Sequence, residues 1–248
     1  MGGGIAAHLA NMGLEVALLD LDRESVAKGW DRLVSAKPPH FYTSAHSLEV
    51  KTAGLKDGYP LLGEADWVCE AIIEKPDAKQ ALYAEIAPLL KPGAILTTNT
   101  SGLEIGRLGA SLPPALRRSF VGTHFFNPPR YLKLLELIPT ADTDPQLLSQ
   151  IAAFLEDRVA RRVVVAKDTP GFIANRFGMW AMFHAIHTTE KLQLPIEAVD
   201  AMTGPFLGRP KSGSFRLNDL VGLDVMADIA RNLCERCPHD PQVKVLQH

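Results

Sequence analysis

Over its first two thirds the chain alternates short apolar runs with helical patterns, and that alternation restricts the fold more than any other feature. LEVALLDLD at 14–22, DWVCEAIIE at 66–74, GAILTTNT at 93–100, FVGTHFF at 120–126, LKLLELIP at 132–139 and RRVVVAK at 161–167 read as strands. Most carry apolar residues on consecutive positions, which suits strands covered on both faces by helices. The intervening segments supply those helices. Residues 5–12 are Ala-rich and end at Gly13, suited to closing a helix, and residues 23–37 stop at Pro38-Pro39. Another helix opens with Pro76 at its first position and Asp77 in its first turn, and residues 144–160 are amphipathic. Residues 40–62, broken by Gly54, Gly58 and Pro60, support no more than one short strand.

The break NPPRY between the fourth and fifth runs is too short for a crossover helix. Those two strands are therefore expected to form a hairpin, placing an antiparallel pair at one end of an otherwise parallel sheet. From Pro170 onward the pattern is helical almost throughout. The expected architecture is α/β, a doubly wound sheet over residues 1–167 followed by an all-helical C-terminal domain over residues 168–248.

Charge and cysteine content narrow the function classes. A net charge of -2 with both signs interspersed offers no basic field for nucleic acid, and no apolar run reaches the roughly 18 residues of a membrane span. Cys69, Cys234 and Cys237 cannot make a disulfide framework, and the N-terminus lacks a basic and apolar signal segment, so a cytoplasmic location is expected. Met1-Gly2 is not a myristoylation site, because Ala6 stands where Ser or Thr is wanted. Cys234 and Cys237 with His239 have no second ligand pair, and His184, His187 and Glu190 fit a packed or interface helix face. No metal site is expected.

The chemistry-bearing residues cluster near strand ends. Gly2, Gly3 and Gly4 stand where the first helix begins, a place where unpaired N–H groups favour phosphate oxygens. Asp20 ends the second segment of that pattern, where a carboxylate can accept both ribose hydroxyls of an adenosine. Asp22 beside it repels a 2'-phosphate and Arg23 softens that repulsion, so the expected cofactor is NAD and not NADP. Glycine runs also start ordinary helices, and strands often end in Asp. Glu74 and Lys79 fall just past a strand, at the edge where open sheets bind ligands, although taken by themselves they fit a solvated helix start better. His124 and Glu136 fall on opposite strands of the hairpin among large apolar residues, so they are expected to pair. Such a pair fixes the imidazole tautomer and readies the ring as a general base, whereas an unpaired strand histidine is usually a core residue. Ser101 can reach a substrate oxygen at the same edge, or can open a helix as the first residue of the capping box Ser101-Gly102-Leu103-Glu104. Asn175 can project into a cleft between domains or hydrogen-bond a helix end.

IAAHLANMG with LLD, CEAIIEKPDAK, TTNTSGLEI, THFFNPP with KLLELI, and TPGFIANRF, in this order and spacing, resemble the 3-hydroxyacyl-CoA dehydrogenases of fatty-acid β-oxidation. The similarity runs from Met1 to about Cys237, and HFFNP followed by a downstream Glu136 is its most specific part. The resemblance implies a Rossmann-like sheet with His124 as base, Glu136 as its orienting carboxylate, and Ser101 and Asn175 as substrate-positioning groups. It implies Gly2, Asp20, Glu74 and Lys79 as NAD contacts. The implied reaction converts an (S)-3-hydroxyacyl-CoA to 3-ketoacyl-CoA with formation of NADH, in a homodimer built through the C-terminal helices. A hydroxy-acid dehydrogenase without CoA is expected to use a lysine base and not this hairpin. Lys28 and Arg130 are the candidate CoA contacts. Against the resemblance, Gly2 matches the third glycine of the family's fingerprint, and the family's first strand and two earlier glycines have no counterpart in the sequence. Relatives also continue beyond DPQVKVLQH, and some carry a fused enoyl-CoA hydratase region. Such a chain is expected either to be part of a longer enzyme or to be a non-catalytic member with a binding or structural role and poor NAD affinity.

Overall fold

The computed structural model describes residues 1–240 and Val243, and the chain divides into one unit over Met1–Thr169 and a second that begins at Pro170. In the first unit the elements run α1 (Gly2–Asn11), β1 (Val16–Asp20), α2 (Arg23–Ser35), α3 (Ser44–Leu48), β2 (Val50–Gly54), α4 (Tyr59–Glu64) and β3 (Trp67–Glu70). They continue with α5 (Pro76–Ile86), β4 (Ile95–Thr98), α6 (Ile105–Gly109), α7 (Pro114–Arg117), β5 (Phe120–Phe125), β6 (Leu134–Pro139), α8 (Pro145–Asp157) and β7 (Arg162–Val165). Local chemistry accounts for several boundaries. Gly13 takes a φ of +76°, which lets the chain reverse from α1 into β1. The Asp22 carboxylate accepts the Ser25 N–H to start α2, and Asp144 accepts the Gln146 and Leu147 N–H groups to start α8 behind Pro145.

Residues 40–62 form more than the sequence promised, namely α3, β2 and α4. Strand β2 escaped the apolar pattern because Lys51 and Thr52 are exposed and only Val50 and Gly54 are buried. The run at 66–74 does the reverse, stopping as a strand at Glu70. There the Ile72 N–H turns to the Glu70 side chain and leaves the ladder.

Strands β3, β4, β5, β6 and β7 form one sheet in that order, and β1 and β2 form a parallel pair. All neighbours in the larger sheet are parallel except β5 and β6, which form the expected hairpin. Strand β7 lies outside β6, so the antiparallel pair is internal to the sheet and not its margin. Strand β5 is buried along its whole length. Helix α1 is the common support of both sheets. Its Ile5 and Leu9 join Val121, Phe125, Leu135, Leu137, Ile151 and Leu155 in one core, while Ala7 and Ala10 pack with Leu33, Phe41 and Val50 in another. Burying each large side chain of this kind contributes roughly 1.5–3 kcal/mol before entropy is subtracted.

The second unit consists of α9 (Ala174–Leu192), α10 (Ile196–Thr203), α11 (Phe215–Val221) and α12 (Leu223–Arg236), around a core of Met179, Phe183, Met226, Leu233 and Val243. Asp200 accepts the N–H groups of Phe215 and Arg216 and so ties α10 to the start of α11. Phe177, Phe206, Leu220 and Leu223 are among its exposed apolar side chains. Among the described residues no helix is long and apolar enough to cross a membrane.

Two predictions follow from this arrangement. Among the described residues β1 pairs only with β2 and β3 only with β4, so half of their amides face away from any ladder. Hydrogen exchange is expected to be about 1,000-fold slower in β5 than at these outward amides. Equal protection would show that both edges are covered. The second concerns His8, which is buried and donates from Nε2 to the Val159 carbonyl at 2.8 Å, while Nδ1 has no hydrogen-bond partner. Burial, with a smaller contribution from the Arg161 charge, lowers its pKa from 6.5 to about 4. The unfolded chain then binds a proton that the folded chain refuses, so the His8 contribution is intact above pH 6.5 and is lost as pH falls through 4. His8→Gln keeps a donor for Val159, and denaturant unfolding between pH 4 and 6.5 should show a shallower pH slope in this variant. An identical slope in both proteins would rule out the protonation argument.

Candidate active site

The antiparallel register of β5 and β6 places His124 directly opposite Glu136. Directly paired residues on one face of such a ladder have Cβ atoms within about 5.5 Å, close enough for an imidazole and a carboxylate to meet. They do: His124 Nδ1 lies 2.7 Å from Glu136 Oε2, and both side chains are buried. With the proton on Nδ1 donated to the carboxylate, the basic lone pair of the ring belongs to Nε2. The Phe126 ring stands 4.5 Å from the imidazole, centre to centre. A carboxylate in these surroundings stabilises an imidazolium far better than water-exposed charges can.

The parallel strands beside β5 end at the same edge. Asn99, one residue past β4, accepts the Phe125 N–H through Oδ1 at 2.9 Å and so ties the two strand ends together. Ser101 follows on an irregular turn and is exposed. The N–H groups of Ser101 and Gly102 donate to Glu74 Oε1 at 2.9 and 3.1 Å, and the Thr100 hydroxyl donates to the same oxygen. The capping box is not formed: α6 starts only at Ile105, and Thr100 Oγ1, not Ser101, accepts the Leu103 N–H. The N–H groups of Ile105 and Gly106 donate to the two carboxylate oxygens of Asp168, at 2.9 and 2.8 Å.

Behind this turn lies a buried ionic group that the sequence analysis did not single out. Glu70, at the end of β3, accepts from Lys79 Nζ and the Ile72 N–H on Oε1, and from the Tyr83 and Thr98 hydroxyls on Oε2. Lys79 is 1% exposed and lies 2.6 Å from Glu70 and 3.6 Å from Glu74, so it is not a solvated helix start. Its ammonium joins the core acid to the acid that holds the Ser101 turn. Tyr83 is held in its protonated, donating form by burial and by the Glu70 charge. Glu70 carried one signal in the sequence, a lone acid inside the apolar run WVCEAII.

Gly2 sits at the N-terminus of α1, packed toward Ala71 just beyond β3, which brings the helix start to this same edge. The first intrahelical bond is Ile5 N–H to the Met1 carbonyl, so the preceding N–H groups have no partner within the helix. A Cβ on Gly4 would come within 3.2 Å of Pro129, so that position accepts nothing larger without a shift. Asp20 ends β1 and is exposed, its Oδ1 accepting the Leu21 N–H. Next to it Leu21, Asp22, Arg23, Gly54, Lys56 and Asp57 line an open pocket of about 450 Å³. Arg23 is occupied there by Asp57 at 2.7 Å, and Asp22 by its helix cap. A glycine helix start and a strand-end carboxylate fit a dinucleotide's pyrophosphate and ribose.

His124, Glu136, Ser101, Glu74, Lys79 and Gly2 therefore converge on one sheet edge, with Asp20 at the end of β1. Asn175 stands in the first turn of α9, in the second unit. Lys28 is paired with Glu24, and Arg130 donates to the carbonyls of Pro39 and Phe41 beneath the Tyr42 ring, so neither candidate CoA contact is idle. Among the described residues no three His, Cys, Asp or Glu side chains come together to hold a metal.

Residues 1–169 match the 3-hydroxyacyl-CoA dehydrogenase NAD binding domain, and residues 171–247 match the C-terminal domain of the same family. A probable 3-hydroxyacyl-CoA dehydrogenase of Deinococcus radiodurans is 42% identical over 97% of this chain and 71% of its own length. One from Bacillus subtilis is 38% identical over 97% of this chain, which spans only 33% of that relative. Among solved structures, (S)-3-hydroxybutyryl-CoA dehydrogenase PaaH1 from Ralstonia eutropha superposes with a TM-score of 0.81 at 28% identity, covering 98% of this chain and 86% of that one. The chain belongs to the 3-hydroxyacyl-CoA dehydrogenase family.

Proposed function

We propose that this chain carries out the NAD-dependent oxidation of an (S)-3-hydroxyacyl-CoA to the 3-ketoacyl-CoA, as a step of fatty-acid β-oxidation. The observation that carries the proposal is the buried 2.7 Å contact between His124 and Glu136 at the ligand edge of the sheet. His124 Nε2 takes the proton of the C3 hydroxyl, and Glu136 stabilises the imidazolium that results. Bound NAD supplies the hydride acceptor. The Ser101 hydroxyl orients the substrate oxygen, and Glu74 fixes the turn that carries Ser101. Gly2 and the start of α1 receive the pyrophosphate, and Asp20 receives the adenosine ribose. Pairing of Arg23 with Asp57 withdraws the nearest guanidinium from a 2'-phosphate, which favours NAD over NADP.

We assign the exposed apolar side chains of the helical unit, Phe177, Phe206, Leu220 and Leu223 among them, to a homodimer interface. The three free thiols fit a reducing cytoplasm.

His124→Gln should lower kcat by about 100- to 10,000-fold, the usual contribution of a general base, with NADH affinity changed less than about twofold. Glu136→Gln should lower kcat by roughly 100-fold or more, because it leaves the imidazolium without a countercharge. Both are read from steady-state kinetics with an acyl-CoA substrate and from NADH fluorescence. Full turnover in His124→Gln would remove this residue from the mechanism. No NADH binding by the unsubstituted chain would favour the binding or structural role instead.

A further inference from the structure

The segment that carries Ser101 has no regular structure between β4 and α6, yet three consecutive amides in it are taken by side chains. Glu74 receives Ser101 and Gly102, and Thr100 receives Leu103. At the far end Ile105 and Gly106 donate to Asp168, a residue 63 and 62 positions further along the chain. The carboxylate sits closely over the helix start: a Cβ on Gly106 would meet its Oδ2 at 3.3 Å. Ile105 is fully buried between these contacts, and Asp168 itself is half-buried, just after β7. One end of the Ser101 segment thus hangs on Glu74 and the other on Asp168.

We propose that Asp168 is a positioning residue for Ser101, holding it in place through the two amides at the start of α6. The proposal rests on the reading of Ser101 as a substrate contact. A segment with two glycines, Gly102 and Gly106, has little stiffness of its own, so an anchored hydroxyl requires both ends to be held. A carboxylate suits the task because it accepts two N–H bonds at once and complements the positive end of a helix. Asparagine keeps one of the acceptors, and alanine keeps none.

The test compares Asp168→Ala, Asp168→Asn, Ser101→Ala and the double variant Ser101→Ala with Asp168→Ala, all in the full chain. Asp144→Ala serves as the control, since Asp144 also accepts two helix-start amides but at α8. Asp168→Ala should lower kcat/KM for the acyl-CoA about tenfold or more, with NADH affinity changed less than about twofold. Asp168→Asn should recover only part of the loss, because one of the two acceptors is replaced by a donor. Amides 101–106 should exchange about tenfold faster in Asp168→Ala. Asp144→Ala should lower the Tm and leave kcat/KM within about twofold. In the Ser101→Ala background the Asp168 substitution should add less than about twofold, because the hydroxyl it positions is already gone.

An equal loss with and without Ser101 would overturn the proposal, as would an equal loss of kcat/KM in Asp144→Ala. Unchanged exchange at 101–106 in Asp168→Ala would overturn the clamp alone. Full activity in Ser101→Ala would instead overturn the reading of Ser101, and the positioning role with it.

Discussion

A carboxylate removed from water must be surrounded by donors, and the ligand edge of this protein is built around meeting that demand. Glu70, at the end of β3, takes an ammonium and a hydroxyl from α5, a hydroxyl from β4 and the Ile72 amide, leaving neither oxygen without a donor. Removing any one of these donors leaves the charge under-compensated, so the three elements are fixed relative to one another by the group at their meeting point. Lys79 carries the constraint outward, from Glu70 in the core to Glu74 beside the Ser101 turn. The edge is therefore rigid where the sheet itself has already ended. The same rule operates at β5 and β6, where the buried Glu136 meets His124 across the ladder.

The parts of this arrangement that could be read from the sequence are those that depend on short-range geometry. A hairpin with a short proline-containing break fixes which residues face each other, so the pairing of His124 with Glu136 followed from FVGTHFF and LKLLELIP alone. Helix α2 was legible from the prolines that stop it, α5 from Pro76 and Asp77 at its start, and α8 from its amphipathic pattern. Strand β2 was legible only as one short strand without bounds, because its exposed polar positions deny it the continuous apolar run that marks the buried strands. Glu70 stood out only as an acid in an apolar context, since its partners Lys79, Tyr83 and Thr98 come from separate elements. Asp168 gave no local sign at all, because its partners lie more than sixty residues away.

The turn at Ser101 shows how a local sequence pattern can be overruled by distant partners. Ser101-Gly102-Leu103-Glu104 satisfies the capping-box spacing, and yet the helix starts one residue after Glu104. The competition was decided by side chains the pattern does not contain. Thr100 accepts the Leu103 amide first, Glu74 takes the two amides before it, and Asp168 takes the two at the helix start. With its backbone held by others, the Ser101 side chain is spared from capping and stays exposed at the strand edge.

This contrast separates two ways of placing a reactive group. His124 rests inside a hydrogen-bonded ladder, where register alone sets its position to within the tolerance of the strand pair. A residue beyond the strand end has no ladder to hold it, and backbone freedom there would spread a hydroxyl over several positions. Side-chain clamps substitute for the absent ladder, and carboxylates are the effective choice because each can hold two amides in a fixed geometry. Glu74 and Asp168 are the two acids that do so for Ser101, one continuous with the buried Glu70–Lys79 group and the other arriving from the end of β7. The regular part of the fold thus positions the proposed proton acceptor, and the irregular part beside it depends on the carboxylates of Glu74 and Asp168 for comparable order.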